Sequence, residues 1–160
     1  MTHDAQPDLG PAVKFPPPAL FVAGLGAGVL IDRVIPASWV PSGHRLWEVL
    51  GVALGVVGLA VVYAGIISFR RHRTAVYPNR PASTLVASGV YAHTRNPMYV
   101  GMTTFYVGGV LLLHSVGALL LLPIVLRLLF VYVVQREEAH LRTAFPVEYA
   151  RYCATVRRWL

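Results

Sequence analysis

The sequence predicts an all-α protein: an integral membrane bundle of four transmembrane helices, with a cytoplasmic loop and a C-terminal amphipathic helical tail. Three observations predict it. Hydrophobic residues make up 56% of the 160-residue chain and charged residues 13%, about half the charged share of a soluble domain. Four apolar runs approach the roughly 20 residues that cross a bilayer. The basic residues gather in two blocks between and after those runs, as they do on the cytoplasmic side of membrane proteins.

The first run covers 19–35 and carries Asp32 and Arg33 near its far end. An adjacent acid and base there read as interface anchors. The second, 46–69, is rich in Gly and Val. Gly51, Gly55 and Gly58 on it, with Gly101, Gly108 and Gly109 on the third run, read as close-packing positions for helix backbones. The third run is 98–113 and the fourth 116–134, the latter holding Pro123 and Arg127. Only His114 and Ser115 separate these two, which predicts a tight antiparallel hairpin. No run alternates with period two, as barrel strands would. Helices satisfy their own backbone groups in lipid and are therefore expected.

Orientation follows from the arginines. Segment 70–96 holds Arg70, Arg71, Arg73, Arg80 and Arg95, and segment 135–160 holds Arg136, Arg142, Arg151, Arg157 and Arg158. The opposite side has Arg33 and Arg45. Both basic segments are expected in the cytoplasm, and with four spans so are both termini, most simply in a cell inner membrane. Residues 1–18 are polar and Pro-rich and read as a flexible lead-in; residues 19–160 read as one membrane domain. The net charge of +7 belongs to this cytoplasmic face rather than to nucleic-acid binding. The single cysteine, Cys153, excludes an internal disulfide framework. Glu137-x-x-His140 is one half of a di-metal carboxylate motif, but no second copy accompanies it, so no metal site is expected.

The two segments outside the spans, 70–97 and 135–160, carry the chemistry. The loop contains Val76, Tyr77, Leu85, Val86, Val90 and Tyr91, apolar enough to predict order. The tail places Leu141, Phe145, Tyr149, Tyr152 and Val156 at spacings of three and four, the pattern of an amphipathic helix or helix pair. Three strings follow one another along these segments: Gly89-Val90-Tyr91 with Arg95-Asn96-Pro97-Met98-Tyr99-Val100-Gly101, then Glu137-Glu138-Ala139-His140-Leu141, then Phe145-Pro146-Val147-Glu148-Tyr149-Ala150-Arg151-Tyr152.

This ordered set, over residues 83–158, resembles the signature of the integral membrane methyltransferases that include isoprenylcysteine carboxyl methyltransferases and phospholipid methyltransferases. Asn96 stands where the carboxyl methyltransferases have histidine, Pro146 replaces a glycine, and Val133 occupies the place of their substrate-binding arginine, with Arg127 and Arg136 flanking it. The resemblance implies S-adenosylmethionine as cofactor, held by Ser83, Thr84, Leu85, Val86, Tyr91, Asn96, Pro97, Met98, Tyr99 and Glu137. It implies a methyl transfer to a lipophilic acceptor from the bilayer, either the carboxylate of a prenylcysteine-like compound or the headgroup amine of a phospholipid. Arg127 and Arg136 are the candidates for substrate binding, with Arg127 either meeting an anionic group or snorkelling to the interface. No catalytic base is assigned, because methyl transfer in a dry, well-positioned site does not require one. The alternative is a membrane reductase-like or non-catalytic protein on the same scaffold, the former binding a nicotinamide cofactor.

Overall fold

A computed structural model describes Val13 and residues 16–35, 45–72 and 84–160. Helix α1 spans Pro17–Val34, α2 Arg45–Arg71, α3 Pro97–Leu113 and α4 Val116–Leu129. A π-helical segment, Phe130–Val134, joins α4 to α5, Gln135–Ala144, and α6 is Pro146–Thr155. A 3-10 turn covers Gly89–Ala92. No strand occurs among the described residues. The helix α1, the helix α2 and the continuous rod Val116–Ala144 are long and apolar enough to cross a membrane, and α3 is a shorter apolar helix. This is the build of a multi-pass membrane protein. The lead-in lies largely outside the described residues, but its Val13 is buried in the central apolar cluster with Phe21, Tyr99, Tyr106 and Leu129.

Glycines set the contact between α2 and α3. A Cβ on Gly58 would come within 2.6 Å of the Gly101 carbonyl, and one on Gly108 within 2.7 Å of the Gly51 carbonyl. Gly65 faces Met98 at 2.5 Å in the same sense. The operative spacing is therefore seven residues, 51, 58 and 65, one face of a helix in left-handed packing. Gly55, grouped with them on sequence, has open space where its Cβ would be.

The hairpin between α3 and α4 is tight at its tip, but the two helices do not lie along one another. Helix α1 packs against both. Gly28 touches the Ala118 backbone, Gly24 leaves room for Val125, and Leu25 packs over Gly109. The tip is a left-handed His114 (φ 50°), whose successor Ser115 donates its N–H to the Val110 carbonyl at 3.1 Å. That six-to-one bond closes α3 in the Schellman manner. The Ser115 hydroxyl then accepts from Ala118 N–H at 3.0 Å, capping α4. Asp32 does more than anchor an interface. Its carboxylate accepts from the Ser115 hydroxyl and, at 2.8 Å, from Gly117 N–H, so α1 supplies a negative charge to the N-terminus of α4.

Candidate functional site

The chemistry-bearing residues gather at the opposite end, where the loop 84–96 meets α5 and α6. Local sequence positions the loop. Gly89 has φ +64°, a left-handed conformation that glycine adopts without strain. It turns the chain into the 3-10 segment that buries Tyr91 against Phe69 of α2, edge to face at 5.3 Å. Pro97 is the first residue of α3, where its missing N–H is no loss. Pro146 plays the same part in α6, after Phe145 ends α5. The proline that replaces the family glycine is thus a helix starter.

Two neighbouring carboxylates then face different partners. The Tyr99 hydroxyl, buried in the first turn of α3, donates to Glu137 Oε1 at 2.7 Å. Burial first, then the Glu137 carboxylate and Tyr152, hold the Tyr91 phenol well above its ordinary range, so it stays protonated beside Glu137. Glu138 turns the other way. It is buried and receives both Nε (2.7 Å) and Nη2 (2.9 Å) of Arg158. Arg95 Nη1 approaches the same carboxylate at 3.5 Å and Arg142 at 3.4 Å. The acidic pair, which a solvated helix end would have left in water, is therefore drawn into the structure.

The tail is fastened to the loop as well. Tyr152 donates to the Tyr91 carbonyl at 2.6 Å. Arg95 N–H donates to the Arg157 carbonyl at 2.9 Å, and the Thr94 hydroxyl and Asn96 Nδ2 donate to the Arg158 carbonyl at 3.1 and 3.0 Å. Arg95 Nη1 also reaches Cys153 Sγ at 2.8 Å and the Tyr149 hydroxyl at 3.5 Å. Burial, with Glu138 and Cys153 adding, pushes the Tyr149 phenol up to about 12 against the opposing pull of Arg95. The hydrogen bond to Glu138 raises Arg158 further above its usual range. The Nε of Arg95 is buried with no hydrogen-bond partner among the described residues.

Of the residues singled out on sequence, Tyr91, Tyr99 and Glu137 form one cluster, with Pro97 buried beside them and Met98 packed on Gly65. Asn96 is buried, but its amide is spent on the Arg158 carbonyl, and it does not cap α3. Val86 is buried. Thr84 and Leu85 line an open groove of about 790 Å3 with Phe145, Glu148, Arg151 and Tyr152. Ser83 lies outside the described residues. Arg127 and Arg136 are both exposed. Glu138, Arg95, Arg158 and Tyr149 were not singled out as site residues. Their signal was present in Glu-Glu and in the Arg-Arg pair at 157–158, but pairing across the fold is not written in spacing. Among the described residues no group of three or more His, Cys, Asp or Glu comes together.

An all-helical bundle with helices apolar enough to cross a membrane, and with acid, phenol and arginine groups collected at one end, defines a class of multi-pass membrane proteins. Within that class the chain belongs to the phospholipid methyltransferase family, whose model matches residues 46–148. It is also similar to the cobalt-zinc-cadmium resistance protein CzcN of Cupriavidus metallidurans, at 30% identity over 112 residues, 68% of this chain and 52% of that protein. The chain thus spans about half the length of the curated relative it matches. No solved structure matches it.

Proposed function

We propose that the protein is an integral membrane methyltransferase that takes its methyl group from S-adenosylmethionine and delivers it to a lipophilic acceptor, the headgroup amine of a phospholipid or the carboxylate of a prenylcysteine-like compound. Residues 19–160 form its single membrane domain, and both termini face the cytoplasm. The observation that carries this reading is the half-buried Glu137, gripped by Tyr99 at the very end of the bundle where the two family motifs meet.

The donor set fits the cofactor. Its amino-acid end is a zwitterion, and the site offers one pole for each charge. The buried Nε of Arg95, without a hydrogen-bond partner among the described residues, is a candidate donor for a carboxylate. The α3 N-terminus, uncapped by Asn96, adds the positive end of a helix dipole. Glu137 is the acceptor for an ammonium group or ribose hydroxyls, and the rings of Tyr91 and Tyr99 can face adenine or a sulfonium. Bound S-adenosylmethionine supplies an electrophilic methyl group. The protein's own part is to fix the geometry and exclude water: Tyr99 holds the Glu137 carboxylate in one orientation, and the packed tail closes off the loop. An acceptor anchored in lipid reaches such a site from the side, while a water-soluble cofactor reaches it from the cytoplasm. The exposed Arg127 and Arg136 are the candidates for meeting an anionic group of the acceptor.

The test has two parts. Purified protein in detergent should be protected against heat by S-adenosylmethionine or its demethylated product and not by NADPH; protection by NADPH alone would replace this reading with the reductase-like one. Radiolabelled methyl groups should pass into a lipid extract, and release of volatile methanol on base treatment would identify a carboxylate acceptor, its absence an amine.

A further inference from the structure

The two glutamates of the acidic pair stand in unlike surroundings, and the difference assigns them different work. Glu138 has no free face. Its side chain is 8% exposed, and three arginines approach it. Arg158 forms a fork on it, with both bonds under 3 Å. The guanidinium of Arg158 also lies over the ring of Phe130, at 5.4 Å, on the π-helical segment about two turns before Glu138. Clamped in this way, residues 157–158 present two successive carbonyls to Arg95 N–H, the Thr94 hydroxyl and the Asn96 amide. Those three donors sit on the segment that leads directly into α3. Residues 156–158 thus form a strap from Glu138 across the loop.

We propose that Glu138 is a positioning residue: through Arg158 it fastens this strap, and through the strap and Arg95 it sets the geometry of the loop 94–96 that faces the cofactor, without touching the cofactor itself. This rests on the reading of the site as a cofactor pocket. The chemistry supports the division of labour. A carboxylate already forked by one guanidinium and flanked by two others has little capacity left for a ligand ammonium. Arg95 is shared: its Nη1 is held by Glu138, Cys153 and Tyr149, while its buried Nε has no hydrogen-bond partner among the described residues. Removing Glu138 would free Arg95 and the strap together.

The experiment uses the full chain in detergent and compares the parent with E138Q, R158Q and the double variant. One readout is deuterium uptake in the peptide covering residues 93–96, which reports the Arg95 N–H bond to Arg157. The other is the dissociation constant of S-adenosylmethionine by equilibrium dialysis. Each single variant is expected to speed uptake, and to weaken binding by roughly ten-fold, the loss expected of a charged hydrogen bond that sets a site. The double variant should be no worse than either single one, because both break the same link. If E138Q loses cofactor while uptake in 93–96 is unchanged, Glu138 is a direct ligand and the proposal falls. If uptake rises and affinity stays, the strap is architectural only and the positioning role falls. If E138Q cannot be recovered folded, R158Q carries the same two readouts, since the Arg158 side chain is 35% exposed. If the parent itself binds no S-adenosylmethionine, the function proposed above fails, and uptake alone still decides whether Glu138 holds the strap.

Discussion

Two adjacent acids on one helix turn point about 100° apart, and here that angle gives them different partners. Glu137 faces Tyr99. A hydrogen bond to a charged group is worth about 1.5–3 kcal/mol, so Glu137→Gln should weaken S-adenosylmethionine binding by roughly ten- to a hundred-fold. Tyr99→Phe removes only the group that orients the carboxylate, and its expected loss is smaller, roughly three- to ten-fold. Isothermal titration of the two variants checks the order; equal affinity of Glu137→Gln and the parent would remove Glu137 from the site. Arg127→Gln, on an exposed face of α4, should leave cofactor affinity unchanged in the same titration.

Among the elements, the α2–α3 contact is the least tolerant of added volume. An alanine Cβ at Gly58 would meet the Gly101 carbonyl and the Phe105 backbone, both at 2.6 Å. Backbone cannot swing aside as a flexible side chain can, so the two helices must separate. Gly58→Ala should lower the melting temperature of the detergent-solubilised protein by several degrees. Gly55→Ala is the matched control: its Cβ enters open space, and alanine gains about 1 kcal/mol of helix propensity over glycine. Its melting temperature should hold or rise. A comparable loss at both positions would mean that general helix behaviour, and not the close approach, governs stability here. At the other end of the bundle, Asp32→Ala removes the carboxylate that accepts from Ser115 and Gly117. Loss of a cap typically costs about 1 kcal/mol, and thermal denaturation should show a drop smaller than that of Gly58→Ala.

At the scale of the whole molecule, the two basic segments share one end of the bundle, since Arg157 and Arg158 are bonded to residues 94–96. The arginine bias then predicts which side of the membrane that end faces. In a Cys153→Ser background, a cysteine replacing the exposed Arg151 should react with an impermeant maleimide only from the cytoplasmic side. A cysteine at Ser42, in the segment between α1 and α2, should react only from the outside. Labelling of position 151 from outside would invert the topology and separate the site from cytoplasmic cofactor.

Composition, four apolar runs and the ordered motifs were sufficient to determine an all-helical membrane protein, its helix positions to within a few residues and its family, because hydrophobic length and motif order are properties of the chain itself. The tight turn at His114–Ser115 was legible for the same reason, whereas the spacing in the tail left open whether it forms one amphipathic helix or two. Three further things were not legible. A π-helical turn within Phe130–Val134 leaves no mark in a stretch that is apolar throughout, yet it helps to set the rotation of the helix that follows. The wedge of α1 against α3 and α4 depends on which glycines meet which backbones, and Gly24 and Gly28 look no different in sequence from Gly26, whose Cβ position is open. The partners of Glu137 and Glu138 lie 38 residues back, at Tyr99, and 20 residues ahead, at Arg158. Such pairings exist only once the helices have docked, because a charge chooses its partner by distance in space and not along the chain.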